Sequence, residues 1–169
     1  FSVRGGQSDI RVIREFIHVQ DFEKITLSEY QADGMTNLFD ATFDGITATS
    51  VFGASLFSMG ATGVQEITVI ISDGFNNAGS RTNVDVSRFL LELNSKPHFI
   101  CAFVGVGNEI DFRQVANGMG IPDGNIVTVD KSLGGFTKAL KLISSSVGSH
   151  SQQINSNQKP SNSQFFVSV

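Results

Sequence analysis

Apolar residues cluster along the chain in short runs separated by longer stretches of helical spacing. Ile67-Thr-Val-Ile-Ile71 is a five-residue run with one polar member. Such a run fits a strand buried on both faces, as parallel strands are. Phe99 to Val106 and Ile126 to Val129 repeat the pattern. Between them lie segments of different periodicity. Thr36 to about Met59 carries Leu38, Ala41, Ile46, Phe52 and Leu56 as an irregular helical stripe, and Gly45 and Gly53 within it permit close packing. Thr82 stands as an N-cap before Val86, Phe89, Leu90 and Leu93. Ile110 to Asn117 fits a short helix and Ser132 to Val147 a longer one. Nearer the start, Asp9 to Val19 reads as a strand, joined to Phe1–Arg4 across the turn residues Gly5-Gly6-Gln7-Ser8. Strand and helix alternating in this order predict an α/β fold. The expected architecture is three-layer α/β/α, with a mostly parallel doubly wound sheet and one antiparallel edge strand.

The remaining segments set the expected domain organisation. Residues 1–147 form the α/β domain. Residues 148–163, rich in Ser, Asn and Gln, read as a flexible polar linker. Residues 164–169, Gln-Phe-Phe-Val-Ser-Val, have a strand pattern.

At 169 residues and 40% apolar composition the chain fits one domain with a sizeable core. A net charge of −4, with its 12 Lys and Arg scattered, supplies no basic footprint for nucleic acid. No apolar stretch approaches a membrane span, so no membrane insertion is expected. The single cysteine, Cys101, lies in a strand-like run and reads as a small hydrophobe. The lack of an internal disulfide favours a reducing, cytoplasmic setting, without fixing the location. The chain begins at Phe1 without Met, which fits a fragment or a processed product.

The chemistry-bearing candidates lie beside the first parallel strand. Asp73, in Ser72-Asp73-Gly74, stands just past its C-terminal end, where open α/β sheets bind ligands. Upstream, Asp33-Gly34-Met35-Thr36-Asn37 is a turn leading into the first long helix. The Thr36 hydroxyl and the Asp73 carboxylate can converge on one cation, and both are hard oxygen donors. A carboxylate before glycine also commonly caps its own turn, so a purely local role for Asp73 stays open.

Other catalytic signals are absent or incomplete. His18, His98 and His150 lack zinc spacing. No Walker lysine loop or Gly-x-Ser-x-Gly elbow occurs, and no acid/base pair stands out. Gly105-Val-Gly107 follows a strand but lacks the third glycine of a dinucleotide fingerprint.

Taken in order, Gly34–Leu38 before a helix, Ile67–Gly74, Phe99–Gly107 and Ile126–Asp130 resemble the von Willebrand factor A family over roughly residues 1–147. The resemblance implies a divalent cation, Mg2+ or Ca2+ or Mn2+, held at the top of the sheet. By resemblance Thr36 and Asp73 are two of its ligands, with Gly34, Asn37, Ser72 and Gly74 forming the ligand-binding loops. The family's Asp-x-Ser-x-Ser loop and its first strand have no counterpart at the start of this chain. Asp85-Val-Ser87 and Asp130-Lys-Ser132-Leu-Gly134 only partly match that loop. Cation binding by this chain alone is therefore expected to be weak or absent. The resemblance leaves a central strand position that residues 164–169 can fill, within the chain or swapped from a neighbour; the alternative is that they begin a further element lying on the surface. The implied activity is non-catalytic: a protein-binding module of adhesion or scaffold type that takes an acidic side chain of another protein. The alternative is a Rossmann-like nucleotide-binding enzyme using the Gly105–Gly107 loop.

Overall fold

A computed structural model describes residues 2–5, 10–24, 26, 35–156 and 158–166, with the backbone alone for 2–5. Three parallel strands carry the architecture: β3 (Glu66–Ser72), β4 (Phe99–Val106) and β5 (Ile126–Val129), hydrogen-bonded in that spatial order. Ile67 pairs with Ile100, Ser72 with Gly105, and Val106 with Val129, so the C-terminal ends of the strands lie side by side.

The central strand explains the layers. Seven of the eight residues of β4 are buried. Successive side chains of a strand point to opposite faces. Phe99, Cys101 and Phe103 enter a core with Leu38, Ile46, Leu90 and Phe112, from helices α1 (Leu38–Ser58), α2 (Asn83–Leu93) and α3 (Phe112–Gly118). Ile100, Ala102 and Val104 enter a second core with Val129, Phe165, Phe166 and Ala139 of helix α4 (Leu133–Asn155). Helices thus cover both faces of a parallel sheet, which is the expected α/β/α arrangement. Burial pushes the Cys101 thiol up to about 12, in keeping with a packing residue and not a nucleophile.

The antiparallel element is present as β2 (Ile10–Arg14), paired with β1 (Ser2–Gly5). It differs from the expected edge strand in two respects. It ends at Arg14 and not at Val19, which begins a short 3-10 turn. Among the described residues this ribbon is a sheet of its own, and β3 pairs only with β4. The ribbon leans on α1 instead: β1 lies against that helix, and the Phe16 ring, just beyond β2, stacks on Phe52 with centroids 4.2 Å apart.

Two boundaries at the C-terminal end differ from expectation. α4 continues through Asn155, so residues 148–155 are helical and not linker. Beneath the polar composition a helical spacing persists: Ala139, Ser146 and His150 are all buried, and Ile154 reaches Gly63. The described part of the final segment, Gln164–Phe166, is not in a strand. Its two phenylalanines pack on the α4 face of β4 and β5, and Phe165 N–H donates to Asn125 Oδ1 (2.7 Å). Asn125 is fully buried, and its Nδ2 donates to the carbonyls of Cys101 and Asn162. A buried amide so satisfied fixes the segment at the start of β5. Val167–Val169 lie outside the described residues.

No helix of the described residues is long and apolar enough to cross a membrane.

Candidate functional site

The chain leaves β3 through Ser72-Asp73-Gly74 and crosses to α2 by way of residues 75–82. This loop folds onto the N-terminus of α1, where unpaired N–H groups need acceptors. Asn37 occupies the N-cap position, yet its side chain makes no capping bond. The loop supplies the acceptors. Thr36 N–H donates to Asn77 Oδ1 (2.6 Å) and Phe39 N–H to Asn76 Oδ1 (3.0 Å). In return Thr36 C=O accepts from the N–H of Asn77 (3.0 Å) and Ala78 (3.3 Å).

Asp40, in the first turn of α1 and 6% exposed, completes the attachment. Its two carboxylate oxygens accept from Ser80 N–H and Arg81 N–H, each at 2.8 Å, and Arg81 Nη1 lies 3.4 Å away. Burial pushes the Asp40 carboxyl up, but the two amide donors and the Arg81 charge outweigh it and hold the group below its ordinary value. The Arg81 guanidinium also sits 4.2 Å from the centre of the Phe43 ring. Gly79, at φ +95°, lets the chain pass between these groups, because a Cβ there would overlap Asn37 Oδ1.

The result places Thr36 beside the Asp73 turn. Thr36 Oγ1 lies 3.4 Å from the position a Cβ on Gly74 would take. The turn is capped by Ser72, whose buried hydroxyl donates to Gly74 C=O (3.1 Å) and accepts from Gly74 N–H (3.4 Å). Asp73 is thereby free of that local task, and its side chain is 61% exposed. Lys131 Nζ, arriving from just past β5, lies 3.4 Å from Asp73 Oδ2. Lys131 is presented by a fixed cap. Ser132 Oγ contacts Asp130 Oδ1 and accepts from Gly135 N–H (3.0 Å), and a Cβ on Gly135 would overlap Asp130 C=O.

The expected site residues therefore divide. Thr36, Asp73 and Gly74 come together at the C-terminal end of the sheet. Ser72 belongs to the turn beneath them. Asn37 is buried, and its Oδ1 has no hydrogen-bond partner among the described residues. Gly34 lies outside the described residues. Four residues with roles here carry weak sequence signals: Asp40, Asn76, Asn77 and Lys131. A double asparagine after Asp-Gly does suggest side-chain capping, but not which helix it caps.

The alternative loop has its own structural uses. The space over Gly105 is filled by the Phe112 ring, and Gly107 adopts φ +114° beside the Glu109 carboxylate. Glu109 in turn accepts from Asn108 N–H (3.1 Å).

A divalent cation of this class seeks about six oxygen donors. Among the described residues Thr36 and Asp73 offer two side chains, and an ammonium group already stands against the carboxylate. That donor set does not fit a tightly held metal ion. No protein-family model, curated protein or solved structure matches the chain.

Proposed function

We propose that this chain is a non-catalytic protein-binding module of von Willebrand factor A type, whose partner supplies an acidic side chain to the C-terminal end of the parallel sheet. One observation carries the reading: the Thr36 hydroxyl and the Asp73–Gly74 turn are held together, beyond the strand ends, by a loop bonded at several points to α1. Ligands of open α/β sheets bind at this end. The side chains there offer one hydroxyl, one exposed carboxylate and one ammonium. They suit polar recognition and include no nucleophile–base pair. Cation affinity of this chain alone is weak in this reading, because so few donors converge.

The test is an array of neutral peptides in which a single Asp or Glu is moved through the sequence. Binding should require the acid, and Asp73→Ala, which removes the group that positions the Lys131 ammonium, should reduce it with the far-ultraviolet spectrum unchanged. Binding indifferent to the acid, or saturable binding of a nucleotide that responds to substitution at Gly107, would overturn the proposal.

A further inference from the structure

The geometry points to Lys131 as the resident cation of the Asp73 site, where it competes with a divalent ion and receives a partner's carboxylate without metal. This inference rests on the binding reading above and adds the identity of the positive charge. Three observations carry it. The Lys131 ammonium is 3.4 Å from Asp73 Oδ2, the same carboxylate that metal binding would need. Both side chains are more than half exposed, at 57% and 61%, so the ammonium keeps donors free for a ligand. The backbone that delivers Lys131 is fixed on both sides, by Val129 C=O accepting from Gly107 N–H (2.8 Å) and by the Ser132 cap of α4. A lysine so placed is a positive charge tethered across the end of β4, from the β5 side of the sheet to the β3 side.

An ammonium differs from a metal ion in ways that set the partner's chemistry. It donates hydrogen bonds from one point, needs no shell of six oxygens and is present at neutral pH regardless of metal supply. A carboxylate can bind it directly. An incoming divalent ion must instead displace it from Asp73, so metal and lysine exclude each other.

The experiment titrates the isotope-labelled full chain with magnesium chloride at low ionic strength, reading the amide resonances of Thr36 and Gly74. Lys131→Gln should bind magnesium roughly two- to five-fold more tightly than the unmodified chain, the range an exposed ion pair allows. Asp73→Asn should remove the response. In a second arm, with a chelator present, an acid-containing peptide chosen from the array should bind the unmodified chain and lose affinity to Lys131→Gln. Equal or weaker magnesium affinity in Lys131→Gln, a response that persists in Asp73→Asn, or no response in any variant overturns the inference. So does chelator-resistant peptide binding that ignores Lys131→Gln. That last result, with acid-dependent binding intact, would leave the binding function standing without lysine as its cation; loss of acid dependence altogether would remove both.

Discussion

Asp40 and Glu66 are buried to nearly the same degree, 6% and 4% exposed, yet their carboxyl groups are pushed in opposite directions. Asp40 lies at the site end of the molecule, where two backbone amides and Arg81 converge on it. Glu66 opens β3 at the other end. It fits the notch left by Gly53, where a Cβ would overlap it, with His98 Nε2 at 3.6 Å. Its Oε2 has no hydrogen-bond partner among the described residues. Burial raises the Glu66 value, only partly offset by His98, Lys96 and Ser50. Burial alone therefore does not decide the charge state; the number of aimed donors does. The site end uses a charged anchor to hold a loop in one place. The base of the sheet tolerates a carboxyl group whose ionisation burial disfavours.

The largest expected effect breaks the charged anchor. Asp40→Ala removes the acceptor of two amides and leaves Arg81 without its buried partner, which should cost about 3 kcal/mol in urea denaturation at neutral pH. Asp40→Asn retains one acceptor oxygen and should cost clearly less. If both substitutions are nearly neutral, the loop is held by something other than Asp40. Gly79→Ala comes next. It combines a positive φ with overlap at Asn37 Oδ1, for about 2 kcal/mol, and its loss should accompany faster amide exchange at Asn77 and Ala78. Exchange that speeds up uniformly across β4 instead would mean that the loop is not a separate unit.

The smallest effect, and the sharpest contrast, lies in pH dependence. The Asp40 value is depressed on folding, so its stabilisation is complete above the unfolded value near pH 4 and is lost as pH falls through the folded value. The Glu66 value is raised, so its contribution is complete below the unfolded value. It declines as pH rises from there and levels off once the folded value is passed. Glu66→Gln, a neutral mimic of similar shape, should lie within about 1 kcal/mol of the unmodified chain at pH 4 and gain on it at higher pH. Denaturation midpoints measured from pH 4 to pH 9 check this. A gap between the two that stays constant with pH would contradict a raised Glu66 value.

How far these features could be read from the chain depends on whether they arise locally. The runs Ile67–Ile71, Phe99–Val106 and Ile126–Val129 are strands, and a continuous apolar run is a local signal. Only the middle run is buried on both faces, as the pattern suggested for all three; Ile71 in β3 is 42% exposed, because β3 has a hydrogen-bonded neighbour on one side alone among the described residues. Asp73 was legible as a candidate from the same local signal, since its position past a strand end follows from the strand. The end of α4 was not: Ser146 and His150 are polar residues on a buried face, so composition hides the helical spacing. Phe165 and Phe166 look like part of a strand, but a buried asparagine forty positions away holds Phe165. Asn76, Asn77 and Asp40 act across some forty residues of sequence, and Lys131 reaches Asp73 from a different strand end. No periodicity reports such pairs.

The central claim is that an acidic partner meets this molecule at the Asp73 turn. Mapping amide resonance changes on the isotope-labelled full chain, as an acid-containing peptide from the array is added, tests that claim directly. The account predicts changes concentrated at Thr36, Asp73, Gly74 and Lys131, absent when the peptide's acid is replaced by its amide. Changes centred instead on the Gly105–Asn108 turn or on the exposed face of α1, with the Asp73 turn silent, would contradict it.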